Sequence, residues 1–269
     1  GIPPNIDVTV ASPSRMYDYY LGGGCHFESD RELAKQVISM VPEVPAAARA
    51  NKAFLGRATR YCLAHGVRQF IDIGAGIAGV SSTHAITQRI APEAKIAYVD
   101  KEGVAVAHNE LLLQGNDNAT VIQADVLHPE DIFDNQELRE MIDFRRPIAV
   151  LLGLVLPWIS DAENPAGVLA SCAKPLLGGG YLIASQITAD GLPDDVRTRV
   201  LGLYDRSTTP VASRAPDTLR EWLSSDGLTL VDPGVVFVSQ WRPEEAADAE
   251  LRPERDMVYG GVAAVPARG

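Results

Sequence analysis

The clearest chemical signal in the sequence is the segment Asp72-Ile73-Gly74-Ala75-Gly76-Ile77-Ala78-Gly79. The apolar run before it, residues 68–73, is typical of a buried strand, and residues 82–90 have the pattern of a helix. Glycine permits a sharp turn between the two and lets a ligand lie directly against the backbone. The segment therefore predicts a cofactor-binding loop, with Gly74, Ala75 and Gly76 against an adenosyl group.

Short apolar runs alternate with helix-length segments on both sides of this loop. The predicted strands after it cover residues 95–99, 119–122, 147–152 and 180–185, with helices between them. This alternation is typical of right-handed βαβ units and predicts an α/β fold with a mostly parallel sheet. Residues 228–231, 235–239 and 257–262 come without intervening helices, which predicts an antiparallel hairpin at the sheet edge.

The first 66 residues have a different pattern. Three prolines in residues 1–13 indicate an extended arm, and helices are predicted over 14–20, from residue 29 or 30, and over 44–65. We therefore divide the chain into an N-terminal arm and helical cap, residues 1–66, and a cofactor-binding α/β domain, residues 67–269, which together form one structural unit.

Composition excludes several classes of function. The 269 residues carry a net charge of −11 with a pI near 4.9, which disfavours nucleic acid and anionic membranes as partners. No apolar run is long enough to span a bilayer. Cys25, Cys62 and Cys172 are far apart, so they predict neither a disulfide framework nor a metal site. A cytoplasmic protein is expected, and a homodimer is left open.

Carboxylates follow three successive predicted strands. Asp100 ends the second strand, where it can accept hydrogen bonds from both ribose hydroxyls of NAD or of S-adenosylmethionine. Asp72 can hold the ammonium of an amino-acid ligand, and Asp125 can accept from an adenine amino group. These two residues and the long helical N-terminus favour a methyltransferase. An NAD(P)-dependent oxidoreductase remains the alternative.

Six segments along the chain carry a family resemblance. They are Arg15-Met16-Tyr17-Asp18-Tyr19-Tyr20-Leu21-Gly22-Gly23, Ala48-Arg49-Ala50-Asn51-Lys52-Ala53-Phe54-Leu55, Gln69-Phe70-Ile71-Asp72-Ile73-Gly74, Tyr98-Val99-Asp100, Gln123-Ala124-Asp125 and Trp241-Arg242-Pro243. With them the chain resembles an actinobacterial S-adenosylmethionine-dependent methyltransferase family once classed as a domain of unknown function. The resemblance implies a Rossmann-like class I methyltransferase fold, with a seven-stranded sheet, an antiparallel last strand and an N-terminal helical cap.

The chain departs from that family's pattern around the active site. Gly24-Cys25-His26-Phe27 follows the double glycine, and the glycine loop has Ala75, Ile77 and Ala78. Leu156-Pro157-Trp158 follows the fourth strand. These differences leave a third alternative open, a methyltransferase-fold protein that binds S-adenosylmethionine without transferring methyl.

The candidate site residues fall into three groups. His26, in a flexible glycine-rich setting, is the candidate general base. Tyr20, Trp158 and Tyr204 are the candidate substrate-binding residues. The cofactor-binding candidates are residues of the cap, of the glycine loop and of the strand ends, namely Tyr17, Asp72, Gly74, Ala75, Gly76, Asp100, Lys101, Asp125, Val126, Gly153 and Leu154.

Further positions carry weaker hypotheses. The aromatic face of Tyr17 can attract a sulfonium. His84 is placed near the methionine end of the cofactor, and Arg206 or Arg214 could pair with an acidic acceptor. The expected acceptor is a small molecule similar to a secondary metabolite, with a phenol, amine or carboxylic acid as its nucleophile.

Overall fold

A twisted sheet covered by helices forms the centre of the molecule. The computed structural model describes residues 6–79, 82–244 and 256–269. Within them the strands are β1 (Gln69–Ile73), β2 (Lys95–Asp100), β3 (Ala119–Gln123), β4 (Ile148–Leu152), β5 (Gly180–Ile187), β6 (Thr229–Leu230), β7 (Val236–Phe237) and β8 (Val258–Val265). The order across the sheet is β3-β2-β1-β4-β5-β8-β6, with β7 also paired to β8.

The first five strands are parallel, and β8 is antiparallel to β5. This confirms the predicted α/β class, because helices connect each of the first five strands to the next along the chain. It also brings the carboxyl ends of β1 to β4 to one edge of the sheet.

The late strands form the predicted antiparallel edge of the sheet, but β6 and β7 each pair with β8 and not with each other. Thr229 of β6 pairs with Ala264, and Val236 of β7 pairs with Gly260, so both strands are antiparallel to β8. Two strands that run in the same direction along one edge cannot form a hairpin with each other. They lie end to end beside β8, and the eight strands therefore occupy the seven sheet positions that the resemblance implies.

The helices in the described residues are α1 (Pro13–Tyr20), α2 (Glu28–Met40), α3 (Val44–Ala64), α4 (Thr83–Ile90), α5 (Gly103–Leu112), α6 (Pro129–Phe133), α7 (Gln136–Met141), α8 (Pro165–Ala173), α9 (Asp194–Tyr204) and α10 (Pro216–Trp222). The single helix predicted over residues 131–141 is two helices. Asn135 has an extended backbone and its side chain accepts from Leu138 N, so it ends one helix and caps the next.

Alternation along β1 directs its side chains to two cores. Ile71 and Ile73 face one core, and Phe70 faces the other, which also contains Phe54 of α3. A third cluster joins α1, α2 and α9. Thus α3 packs on the sheet, whereas α1 and α2 pack on α9, and the boundary at residue 66 stays a prediction.

Neither a membrane span nor a metal cluster is found in residues 6–79, 82–244 and 256–269. The helices there fall short of the length and hydropathy needed to cross a bilayer. The same residues contain no group of three His, Cys, Asp or Glu side chains placed to hold a metal ion.

Candidate active site

A cavity of about 230 Å³ opens at the carboxyl ends of β1 to β4, beneath α1 and α9. Open α/β sheets bind their ligands at this edge. All the predicted cofactor-binding and substrate-binding residues line this cavity, namely Tyr17, Tyr20, Asp72, Gly74, Ala75, Gly76, Asp100, Lys101, Asp125, Val126, Gly153, Leu154, Trp158 and Tyr204.

The glycine loop has a conformation that favours glycine at two positions. Gly74 has φ +66° and Gly76 has φ +64°, in the left-handed region. A Cβ on Gly74 would lie 2.6 Å from Val155 Cγ2, whereas a Cβ on Gly76 would meet nothing within 4 Å. The first glycine is therefore required by both conformation and space, and the second by conformation alone.

A buried asparagine holds this loop in place. Asn109 of α5 is 0% exposed; its Oδ1 accepts from Ala78 N at 2.8 Å, and its Nδ2 donates to Gly76 O at 2.9 Å. Both bonds go to backbone groups that a glycine-rich turn would otherwise leave unpaired. Sequence reasoning missed Asn109, whose only signal is a polar residue on the buried face of a helix.

Asp100 lies at the carboxyl end of β2 and is 5% exposed. Its two carboxylate oxygens accept from Gly76 N and Glu102 N, each at 2.8 Å. Burial raises the pKa of Asp100 to about 6. Because a carboxylate has about four acceptor positions, two remain for a ligand in the cavity.

Asp72 and Lys52 face the cavity from opposite sides. Asp72 lies on the same face of β1 as Phe70, the face that α3 covers, and its Oδ2 accepts from Thr83 Oγ1 at 2.7 Å. Burial raises the pKa of Asp72 and lowers the pKa of Lys52 on α3. Sequence reasoning gave Lys52 no role.

The strand ends β3 and β4 supply the next part of the wall. Asp125 Oδ1 accepts from Leu127 N at 3.0 Å, so this carboxylate shapes a turn and also lines the cavity. Leu154 has φ +51°, an unusual conformation for leucine, and its N–H donates to Ser185 Oγ at 2.8 Å. Backbone strain of this kind is often found beside ligand sites.

The opposite part of the cavity has an aromatic wall, formed by Tyr20 of α1, Tyr204 of α9 and Trp158. The hydroxyl oxygens of Tyr20 and Tyr204 are 2.8 Å apart, and the rings of Trp158 and Tyr204 are 5.5 Å apart. Burial raises the pKa of Tyr204 to about 12 and also raises that of Tyr20. Both phenols are therefore neutral near pH 7.

Tyr17 joins α1 to α3. Its hydroxyl accepts from Asn51 Nδ2 at 2.9 Å and donates to Ala48 O at 3.3 Å. Burial raises its pKa to about 12. The phenol thus stays neutral, and its ring lines the cavity between the aromatic wall and Lys52.

The structure does not bring His26 to the cavity. One of its ring nitrogens bonds Gly23 O at 2.8 Å, the other lies 3.0 Å from Arg31 Nη1, and the ring packs edge-on against Tyr19. These local contacts hold the imidazole beside α2. The geometry therefore gives no support to the prediction that His26 is the general base.

Three weaker candidates also lie outside the cavity lining. His84 Nδ1 bonds Tyr98 OH at 2.6 Å. Arg206 donates to Gln36. Buried Arg214 is held by Leu156 O, Ile159 O and Asp161 Oδ1, so its guanidinium stabilises the loop after β4 and does not face an acceptor.

A polar network ties the cap to the strand end beside Asp100. Glu102 Oε1 accepts from Ser12 Oγ at 2.9 Å, and Arg15 Nη1 lies 3.6 Å from Glu102 Oε2. Arg15 also pairs with buried Asp30 at 2.8 Å. Helix α1 is thereby fixed over the cavity.

Comparison with known proteins identifies the family. The family model described as S-adenosyl methyltransferase matches residues 2–266. The chain belongs to this S-adenosyl methyltransferase family. No curated protein matches the chain significantly.

Two solved structures from actinobacteria are similar over nearly the whole methyltransferase chain. One is a protein from Streptomyces avermitilis of the family named domain of unknown function 574, with TM-score 0.90 and 33% identity, covering 97% of this chain and 99% of that one. The other, from Thermobifida fusca, is assigned provisionally as a methyltransferase, with TM-score 0.89 and 30% identity, covering 98% of both chains. The predicted family and fold are confirmed, and the oxidoreductase alternative has no support.

The protein is thus an S-adenosylmethionine-dependent methyltransferase, and the cavity chemistry fits that cofactor. S-adenosylmethionine presents a ribose diol, a zwitterionic amino acid and a sulfonium. The cavity offers a buried carboxylate at Asp100, opposite charges at Asp72 and Lys52, and aromatic rings. Each charged group of the cofactor therefore has a group of suitable chemistry in the lining.

Proposed function

We propose that this methyltransferase acts on a flat, largely apolar small molecule bearing one nucleophilic phenol, amine or carboxylate. The observation that carries the proposal is the aromatic wall of Tyr20, Trp158 and Tyr204, in the same cavity as the carboxylates at the strand ends. Aromatic faces bind flat ligands through dispersion and stacking.

The polar part of the cavity is the cofactor side in this proposal. Asp100 would accept from the ribose hydroxyls, and the glycine loop would lie against the nucleoside. Asp125 would accept from the adenine amino group, while Val126, Gly153 and Leu154 form the wall around it. Lys101, exposed at the rim, would lie near the ribose.

When bound, the cofactor supplies a methyl group already activated on sulfur. The residues of this chain then need to align the acceptor in line with that group and to exclude water. Tyr20 and Tyr204 are neutral, so they would orient the acceptor through hydrogen bonds without removing its proton. Tyr17 would place its ring beside the sulfonium.

Charge limits the kind of acceptor. The net charge of −11 repels polyanions, and the aromatic wall carries no charged side chain of its own. A small molecule with at most one ionised group suits this surface better than a nucleic acid does. This includes aromatic compounds of the secondary-metabolite type.

Trp158→Ala tests the acceptor side. A panel of small phenols, aromatic amines and aromatic carboxylic acids is incubated with methyl-labelled S-adenosylmethionine, and the KM of any methylated compound is compared between variants. Trp158→Ala should raise that KM at least about tenfold while changing cofactor affinity by less than about threefold. Tyr61→Ala is the control, because Tyr61 stacks on His65 outside the cavity lining.

Two outcomes would contradict the proposal. One is that the protein methylates an aliphatic acceptor but none of the aromatic compounds in the panel. The other is that Trp158→Ala lowers cofactor affinity and acceptor turnover together, or lowers neither.

A further inference from the structure

We propose that Lys52 binds the carboxylate of the cofactor's amino-acid end while Asp72 binds its ammonium. The inference rests on the cofactor of the family and not on the acceptor class. Lys52 lies in one of the segments that carry the family resemblance, and the sequence analysis gave it no role.

Lys52 lies on the face of α3 that lines the cavity. Ala48, Lys52, Leu55, Gly56 and Thr59 recur at spacings of three and four, so they share one helix face, and all line the cavity. The other members of this stripe are small or uncharged. Lys52 therefore places its ammonium on a helix face that is otherwise uncharged.

The ammonium of Lys52 has no partner among the residues that the structure describes. Lys52 is partly buried, yet it makes no hydrogen bond or ion pair within 4 Å to any residue that the structure describes. A desolvated ammonium is costly unless an anion is near, and burial accordingly lowers its pKa. A ligand carboxylate in the cavity would remove that cost.

Asp72 supplies the complementary charge. It faces α3 from β1, and only one of its oxygens is occupied by a described partner, Thr83. Asp72 and Lys52 affect each other's ionisation without forming an ion pair. Two opposite charges that face one cavity without touching match the two ends of an α-amino acid zwitterion.

Tyr17 lies beside Lys52 on the α3 side of the cavity. Tyr17 is hydrogen-bonded to Asn51, the residue before Lys52, and also to Ala48, one turn earlier. Because Tyr17 is neutral, it does not compete for either end of the zwitterion. Lys52 is therefore the described cation on the α3 side of the cavity, across from Asp72.

The test uses two ligands that differ only in the carboxylate. Binding of S-adenosylhomocysteine and of its decarboxylated analogue is measured by calorimetry for the wild type and for Lys52→Gln, Lys52→Arg and Asp72→Asn. Circular dichroism confirms that each variant is folded. Lys35→Gln, an exposed lysine of α2, is the control and should leave both affinities within about twofold.

Lys52→Gln should weaken S-adenosylhomocysteine binding at least about tenfold but change binding of the decarboxylated analogue less than about twofold. Lys52→Arg should recover most of the loss. Asp72→Asn should weaken binding of both ligands. Equal losses of Lys52→Gln for both ligands, or no loss for either, would overturn the inference. Failure of the wild type to bind S-adenosylhomocysteine would instead count against the cofactor assignment itself.

Discussion

Lowering the pH from about 7 to about 5 should weaken S-adenosylhomocysteine binding through Asp100. Burial raises the pKa of this carboxyl from 3.8 to about 6 in the ligand-free protein. We expect the ribose hydroxyls to need the ionised form as acceptor. Affinity is then nearly complete at about pH 7, is halved at about pH 6 and falls further at lower pH, because protonation competes with binding.

The magnitude follows from that pKa. One pH unit below it, about nine in ten ligand-free molecules carry the proton, which costs about tenfold in affinity or about 1.4 kcal/mol. Calorimetry from about pH 5 to about pH 8 measures the effect, with circular dichroism as a check of folding.

Asp100→Asn separates this carboxyl from other groups that titrate. The variant should bind at least about tenfold more weakly near pH 7, because one acceptor oxygen is lost, and its affinity should lack the change centred near pH 6. Asp72→Asn is the comparison, because the pKa of Asp72 is also raised. This variant should keep the change in affinity near pH 6, because Asp72 is assigned to the ammonium of the ligand and not to its ribose. If Asp100→Asn bound with wild-type affinity, or kept the pH dependence of the wild type, Asp100 would not be the residue that binds the ribose.

Three further predictions concern the loop and the cap. Gly74→Ala should destabilise the protein more than Gly76→Ala in urea unfolding, since both incur roughly 1–2 kcal/mol of backbone strain but only the first Cβ meets Val155. Asn109→Ala should cost roughly 1–3 kcal/mol in the same assay by leaving the buried N–H of Ala78 unpaired; a loss under about 1 kcal/mol would exclude its bracing role. Amide exchange over residues 17–27 should slow when S-adenosylhomocysteine binds, because α1 carries Tyr17 and Tyr20 of the cavity lining, and equal exchange would argue against contact between α1 and the ligand.

Local sequence pattern was sufficient for the framework of the site. A strand followed by a glycine loop predicts the conformation at Gly74 and Gly76, and parallel strands necessarily bring Asp72 and Asp100 to one edge. The family resemblance added the cap, which periodicity alone could not place over the cavity. Tyr17 and Tyr20 reach the lining because α1 packs on α2 and α3, and the Tyr20 hydroxyl lies 2.8 Å from that of Tyr204 on α9.

The remaining parts depend on contacts between distant segments. Asn109 is 33 residues from the Gly76 carbonyl that it bonds, and no local pattern signals that pairing. Lys52 interrupts an apolar helix stripe, a signal that can be recognised once α3 is known to cover the sheet. The prediction for His26 relied on the reach of a flexible loop, whereas Gly23 and Arg31 hold its ring locally.

A crystal structure of the protein with S-adenosylhomocysteine tests the assignment of this site directly. We expect the ribose hydroxyls on Asp100, the amino-acid end between Asp72 and Lys52, and the sulfur facing the space beside Tyr20, Trp158 and Tyr204. A ligand bound elsewhere, or bound with its amino-acid end toward the aromatic wall, would contradict it.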